Sequence, residues 1–176
     1  LNGLSSFNFL SIMSSILYIG NFYNDNFIVN LSVFIIIFAI LIFLFNFPFG
    51  KIFLGDSGSY IYALFSGALI IYLFERHSQL PTLLAMVILS YPITEMLFSI
   101  FRKIYLKYSP LRPDVNHLHH LVFKKLQGNL KTRNNIASII MLPFCIMPFV
   151  FTYFSINYNL NDNFLKYIIY FIFYSV

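Results

Sequence analysis

Two polar constellations hold the residues able to do chemistry. The first is Asn46-Phe-Pro-Phe-Gly-Lys-Ile-Phe-Leu-Gly-Asp-Ser-Gly-Ser59, a glycine-bearing stretch between two long apolar runs. Asp56 offers a hard oxygen to a divalent cation, Lys51, Ser57 and Ser59 suit phosphate oxygens, and Gly55 and Gly58 let the backbone approach a ligand. A nucleotide diphosphate with its metal fits that inventory. So does an ordinary inter-helix turn, its glycines at positive φ and Asp56 or Ser57 capping the next helix. The second constellation is Ser109-Pro-Leu-Arg-Pro-Asp-Val-Asn-His-Leu-His-His-Leu121. His117 and His120 are three apart and share a helix face, with His119 pointing elsewhere. The trio can grip one phosphate from two sides, supply a metal, or titrate as a solvated pH-sensitive loop. Zinc would need a fourth ligand, for which Asp114 is the near candidate.

The elements that position these stretches follow from composition. The 176 residues are 59% hydrophobic and 10% charged, with 23 Phe and 13 Tyr, and a mean hydropathy of +0.78. That is far too little polar surface for a soluble domain of this length. The expectation is an all-α, polytopic membrane bundle, residues 1–176 forming one integral membrane domain. Apolar runs at Leu4 to Ile19, Phe27 to Phe45, Ser59 to Phe74, Leu80 to Phe101, Ile136 to Ile156 and Phe164 to Val176 give about six transmembrane helices. None alternates apolar with polar residues as a membrane-barrel strand does. Pro81, Pro92, Pro143 and Pro148 predict kinks. Cys145 sits in an apolar run and reads as a packing residue. The chain begins without Met or a basic leader, and the expectation is a piece of something longer.

Basic residues set the orientation. Of 11 Lys and Arg, eight lie between Arg102 and Asn135, which the positive-inside rule puts in the cytoplasm. Counting helices puts loop 46–58 there as well, beside loop 102–135. Lys124 and Lys125 also suit anionic lipid headgroups. The opposite-face loops, Asn21 to Asn26, Glu75 to Gln79 and Asn157 to Asn163, are bland, and His77 reads as a solvated turn residue. Glu95 is acidic within an apolar run, where charge is costly unless it faces protein or water. Its role, structural or catalytic, stays open.

Asn46-x-Pro, Lys51-Ile-Phe-Leu-Gly-Asp-Ser-Gly-Ser59, Pro92-Ile-Thr-Glu95, Ser109-Pro and Asp114-x-x-His-Leu-His-His120, in that order, resemble the polyprenyl-phosphate N-acetylhexosamine-1-phosphate transferases of the glycosyltransferase 4 family. That family includes the phospho-N-acetylmuramoyl-pentapeptide transferases. The His-x-His-His form resembles the branch using UDP-N-acetylglucosamine or related UDP-sugars. Leu1-Asn-Gly-Leu4 looks like the tail of the family's Asn-x-x-Asp-Gly-Leu-Asp/Asn-Gly-Leu motif. The resemblance covers nearly the whole chain as the C-terminal half of a member, and the family's Asp-Asp-x-x-Asp motif would lie upstream.

The resemblance implies transfer of N-acetylhexosamine-1-phosphate from a UDP-sugar to undecaprenyl or another polyprenyl phosphate, releasing UMP, in cell-wall, lipopolysaccharide or other surface polysaccharide synthesis. It implies Mg²⁺, with Mn²⁺ as a substitute, and an active site on the cytoplasmic face of the inner (plasma) membrane. Asp56 would be the metal ligand, Gly55 would permit close approach, Phe53 would stack near the uracil, and Asn2 would contact the nucleobase. His117, His119 and His120 would hold phosphate oxygens, and Asp114 would orient an imidazole. Val115 departs from the family by standing where a basic residue often follows the motif's Asp; Lys124 or Arg112 would substitute. Nucleic acid is not an implied partner, and a homodimer is an open option. The rival readings are a transporter subunit lined by Asp56 and Glu95, and an inactive lipid-binding relative.

Overall fold

A computed structural model describes residues 3–109, 117–158, 166–167 and 169–170. Asn2, Asp114, Arg112, Val115 and most of the sixth apolar run lie outside them. Every regular element among the described residues is helical: α1 (Leu4–Phe22), α2 (Asn26–Asn46), α3 (Gly55–Arg76), α4 (Thr82–Ile88), α5 (Ser90–Tyr105), α6 (Leu118–Lys125) and α7 (Leu130–Asn157). Helix α1 is central and packs on α2, α7 and α3. Its Ser and Asn content fits that place. Ser6, Ser11 and Ser15 are buried between Phe9, Ile12, Met13 and Ile16, and Ser15 donates to the Ser11 carbonyl one turn back, so the hydroxyl costs little in an apolar interior.

The described residues support an all-α membrane bundle but not the expected count of about six spans. Among the described residues three helices, α2, α3 and α7, are long and apolar enough to cross a membrane, or four if α4 and α5 are one broken span. Helix α1 packs on three other helices, and its serines keep it below the hydropathy of those three. Helix α2 is the opposite case. It buries Ile28, Ser32, Ile35 and Ala39 on one stripe and exposes Phe34, Phe38, Leu41 and Phe45. Its 21 residues rise about 31 Å, the thickness of a bilayer's hydrocarbon core.

The fourth apolar run is not one helix. It breaks at Leu89 with a bend of 78° between α4 and α5. Pro92 gives the physical reason: it has no N–H for the Ile88 carbonyl and its ring crowds that carbonyl, so a helix cannot run straight through. Pro143 and Pro148, by contrast, lie inside the continuous α7.

At the end of the bundle away from the two motifs, His77 is not the solvated turn residue expected. Its side chain is 12% exposed, its Nε2 lies 3.2 Å from Asp25 Oδ2, and its ring stacks on Tyr23. The α1–α2 turn brings Asp25 against the end of α3. There Asp25 caps α2 by accepting from the Ile28 N–H and pairs with Arg76 Nε at 2.6 Å. Burial pushes the Asp25 carboxyl up, but the Ile28 N–H, His77 and Arg76 outweigh it and hold it below its ordinary value. A depressed carboxyl stabilises the fold above the unfolded pKa, about 4, and loses that contribution as pH falls through the lower folded value. Asp25→Ala should therefore cost about 1 kcal/mol at pH 7 for the cap alone. Thermal unfolding of both proteins should show the gap narrowing on acidification; a pH-independent gap would remove the ion pair from the account.

Candidate active site

Both motifs come together at the other end of the bundle. Asn46, buried at the end of α2, accepts from the Gly3 N–H and donates to the Ile52 carbonyl, tying the start of α1 to the segment before α3. Asn135, in the first turns of α7, donates to the Pro48 carbonyl at 3.2 Å. The 46–54 segment, the start of α1 and the start of α7 are thereby held as one polar end.

Asp56 and Ser57 are not loop residues but lie in the first turn of α3. Neither caps it, since the N-cap position is Leu54. Gly55 takes φ +63°, with open space where a side chain would project, which suits close approach of a ligand. Gly58 differs. A Cβ there would meet the Leu54 side chain at 2.6 Å, so its smallness serves helix packing. Lys51 is exposed and lies over the Phe49 ring, and Phe53 is 77% exposed. The Asp56 carboxylate is exposed and pairs with none of the described residues, while the Ser59 hydroxyl is spent on the Gly55 carbonyl.

The histidines pair differently from the expectation. His117 is the N-cap of α6, outside the helix, so the three-residue helical spacing to His120 does not apply. His117 and His119 are the matched pair instead, their rings parallel within 1° and 5.5 Å apart. Between them lies Glu95 of α5. Its Oε2 is 3.1 Å from His117 Nδ1 and its Oε1 is 3.6 Å from His119 Nδ1. Tyr91 Oη donates to Oε1 and the Leu118 N–H points to Oε2 at 3.4 Å, so Glu95 supplies from α5 the cap that α6 lacks.

His120 lies against His119, ring centroids 4.3 Å apart. Burial first, and then the neighbouring His119 and His117, lower its pKa below the ordinary histidine value, which disfavours its charged form. Sequence reading left Glu95 without a role; its placement inside an apolar run was the available signal. Asp114, the expected orienting carboxylate, lies outside the described residues.

A cavity of about 580 Å³ joins the motifs. Ser5 and Asn8 of α1, Ser59 and Tyr62 of α3, Glu95, and His117 with His119 all line it. Asp56 is one helical turn before Ser59 and does not touch the imidazoles. On the other side of Glu95 a second space of about 580 Å³ lies between α5, α6 and α7, walled by Phe98, Phe101, Leu121 and Phe144, with Arg102 at its edge. It is apolar enough for a hydrocarbon chain.

Among the described residues no three His, Cys, Asp or Glu side chains are grouped to hold a metal. Mg²⁺ asks less of a protein, since it is commonly bound by one or two carboxylates plus substrate phosphates and waters. One exposed, uncommitted carboxylate at Asp56 fits that demand.

These features define a membrane-embedded helical bundle with an acid, imidazole and hydroxyl site at one end, beside an apolar groove. The chain is similar to a polyprenyl-phosphate N-acetylhexosamine-1-phosphate transferase, as the ordered motifs imply: it is 34% identical over 87 residues to the undecaprenyl-phosphate alpha-N-acetylglucosaminyl 1-phosphate transferase of Thermotoga maritima. That match covers 49% of this chain and 28% of the relative. No family model matches the chain, and no solved structure does.

Proposed function

We propose that the chain is part of an enzyme transferring N-acetylglucosamine-1-phosphate from UDP-N-acetylglucosamine to undecaprenyl or a related polyprenyl phosphate. An oxygen of the lipid phosphate attacks the sugar-bearing phosphorus, a new P–O–P bond forms, the old one breaks, and UMP leaves. The observation that carries this reading is the junction at Glu95: an imidazole pair lining a cavity that reaches α3 one turn from Asp56, with an apolar groove on the other side. One substrate is an anion in water and the other an anion on a hydrocarbon tail, and both chemistries meet there.

Asp56 would hold Mg²⁺ together with the donor's diphosphate, and the metal would supply charge neutralisation at the transferring phosphoryl group. Lys51 and Ser57 stand close enough in sequence to meet the same phosphates, and exposed Phe53 offers a face to the uracil. Asn2 is proposed at the nucleobase and Asp114 near the histidines, both from the motif resemblance. His117 and His119 donate to phosphate oxygens as negative charge builds on them. The basic run around loop 102–135 supports a cytoplasmic site in the plasma membrane, and surface or cell-wall polysaccharide synthesis is the setting this product serves.

The test is an assay of the full-length protein in lipid with UDP-N-acetylglucosamine and polyprenyl phosphate. Label should enter the lipid with stoichiometric UMP, stop on chelation and resume with Mg²⁺. Folded protein that yields neither product would overturn the reading.

A further inference from the structure

Glu95 belongs to neither polar motif, yet it is where their elements meet. Resting on the function proposed above, we propose that Glu95 is a positioning residue: a single carboxylate that sets His117 and His119 as a matched pair, each with Nδ1 toward it and Nε2 turned to the substrate phosphate.

Three independent observations carry this. Both Nδ1 atoms face the two oxygens of the same carboxylate, at 3.1 Å and 3.6 Å. The rings are parallel, their centroids 5.5 Å apart. And His119 Nδ1 is buried with no hydrogen bond of its own, leaving Glu95 Oε1 as the acceptor a slight closure would engage. The carboxylate is itself fixed by the Tyr91 hydroxyl and the Leu118 N–H, and its side chain is 15% exposed. An imidazole whose Nδ1–H is held this way has one orientation, and the carboxylate favours its imidazolium form, whose second proton on Nε2 is the donor to phosphate.

The charged and titratable groups around the pair come from four elements: Tyr91 and Arg102 of α5, His120 and Lys124 of α6, Cys145 of α7 and Tyr62 of α3. Among the described residues lining the two spaces, Glu95 is the acidic one. Replacing it with Gln removes the negative charge while keeping the shape, so both imidazolium forms become less favoured and titrate at lower pH.

The test uses the full-length protein in lipid bilayers with histidine-selective ¹⁵N resonances. In the wild type, His117 should carry a proton on Nδ1 throughout and a second on Nε2 in its charged form. In Glu95→Gln, His117 and His119 should titrate at lower pH while His77, far from the site, does not move. In the same variant kcat should fall by about tenfold or more, the scale for losing an orienting partner, with KM for the UDP-sugar little changed. The alkaline limb of its pH–rate profile should move to lower pH. Glu95→Asp, which keeps the charge, should recover part of the loss. Wild-type resonances with His117 Nδ1 bare, or equal titrations in wild type and Gln variant, would overturn the proposal, and the first needs no variant to fold. A wild type that transfers nothing but shows both resonance signatures would uphold the positioning and remove the transferase reading.

Discussion

Asp56→Asn in the full-length protein should lower transfer by about a hundredfold or more, the scale on which loss of one preorganised charge-stabilising group acts. The structure sharpens what else must be seen. The Asp56 side chain is exposed, neither caps α3 nor pairs with a described residue, so removing its charge should leave the unfolding midpoint within the range of an ordinary surface change, about 0.5 kcal/mol. Activity and stability should therefore separate. A turn residue with no metal would behave in the reverse way, with transfer kept and some stability lost. Raising Mg²⁺ should recover part of the activity of the Asn variant, because the amide oxygen is a weaker ligand at the same place. Near-normal turnover at ordinary Mg²⁺ would take Asp56 out of the metal site.

The second large effect concerns the imidazole pair. His117→Ala and His119→Ala should each cost about a hundredfold in kcat, and the double variant should be little worse than either single one. The two rings share one carboxylate, and groups that act as a unit lose their function together rather than in proportion. A structural zinc site makes a different forecast. Metal analysis would find about one zinc per chain, lost with thermal stability in either variant, since opening a closed coordination shell unfolds what it holds. Fully multiplicative losses would show that the rings act separately.

Much of this architecture is legible in the chain because lipid demands long apolar runs, and α2, α3 and α7 appear where such runs stand. The same signal is weak in α1, where Ser15 bonds the Ser11 carbonyl of its own backbone and Ser6 the Tyr62 hydroxyl of α3. The Asp56 stretch was recognisable from its glycines and acid, but its last residues are helix, because Gly55 turns the chain and lets α3 start a full turn before the apolar run. Pairing among the histidines was misread since the three-residue rule holds only within a helix, and His117 precedes α6. Contacts between distant elements, Glu95 with His117 or Asp25 with His77, leave no periodic trace in the sequence. Glu95 nevertheless showed as a polar residue in a place where one is costly.

The bend at Leu89 has a spatial side. Helix α4 has seven residues and rises about 10 Å, a third of a bilayer's hydrocarbon core, and the 78° turn then carries α5 sideways. Helix α5 thus runs nearly crosswise to α4, with Phe98, Phe101 and Tyr105 along the apolar groove and Glu95 lining both that groove and the cavity on its other side. An element that leaves its predecessor crosswise can set one acid between two spaces at once, which a straight span could not do.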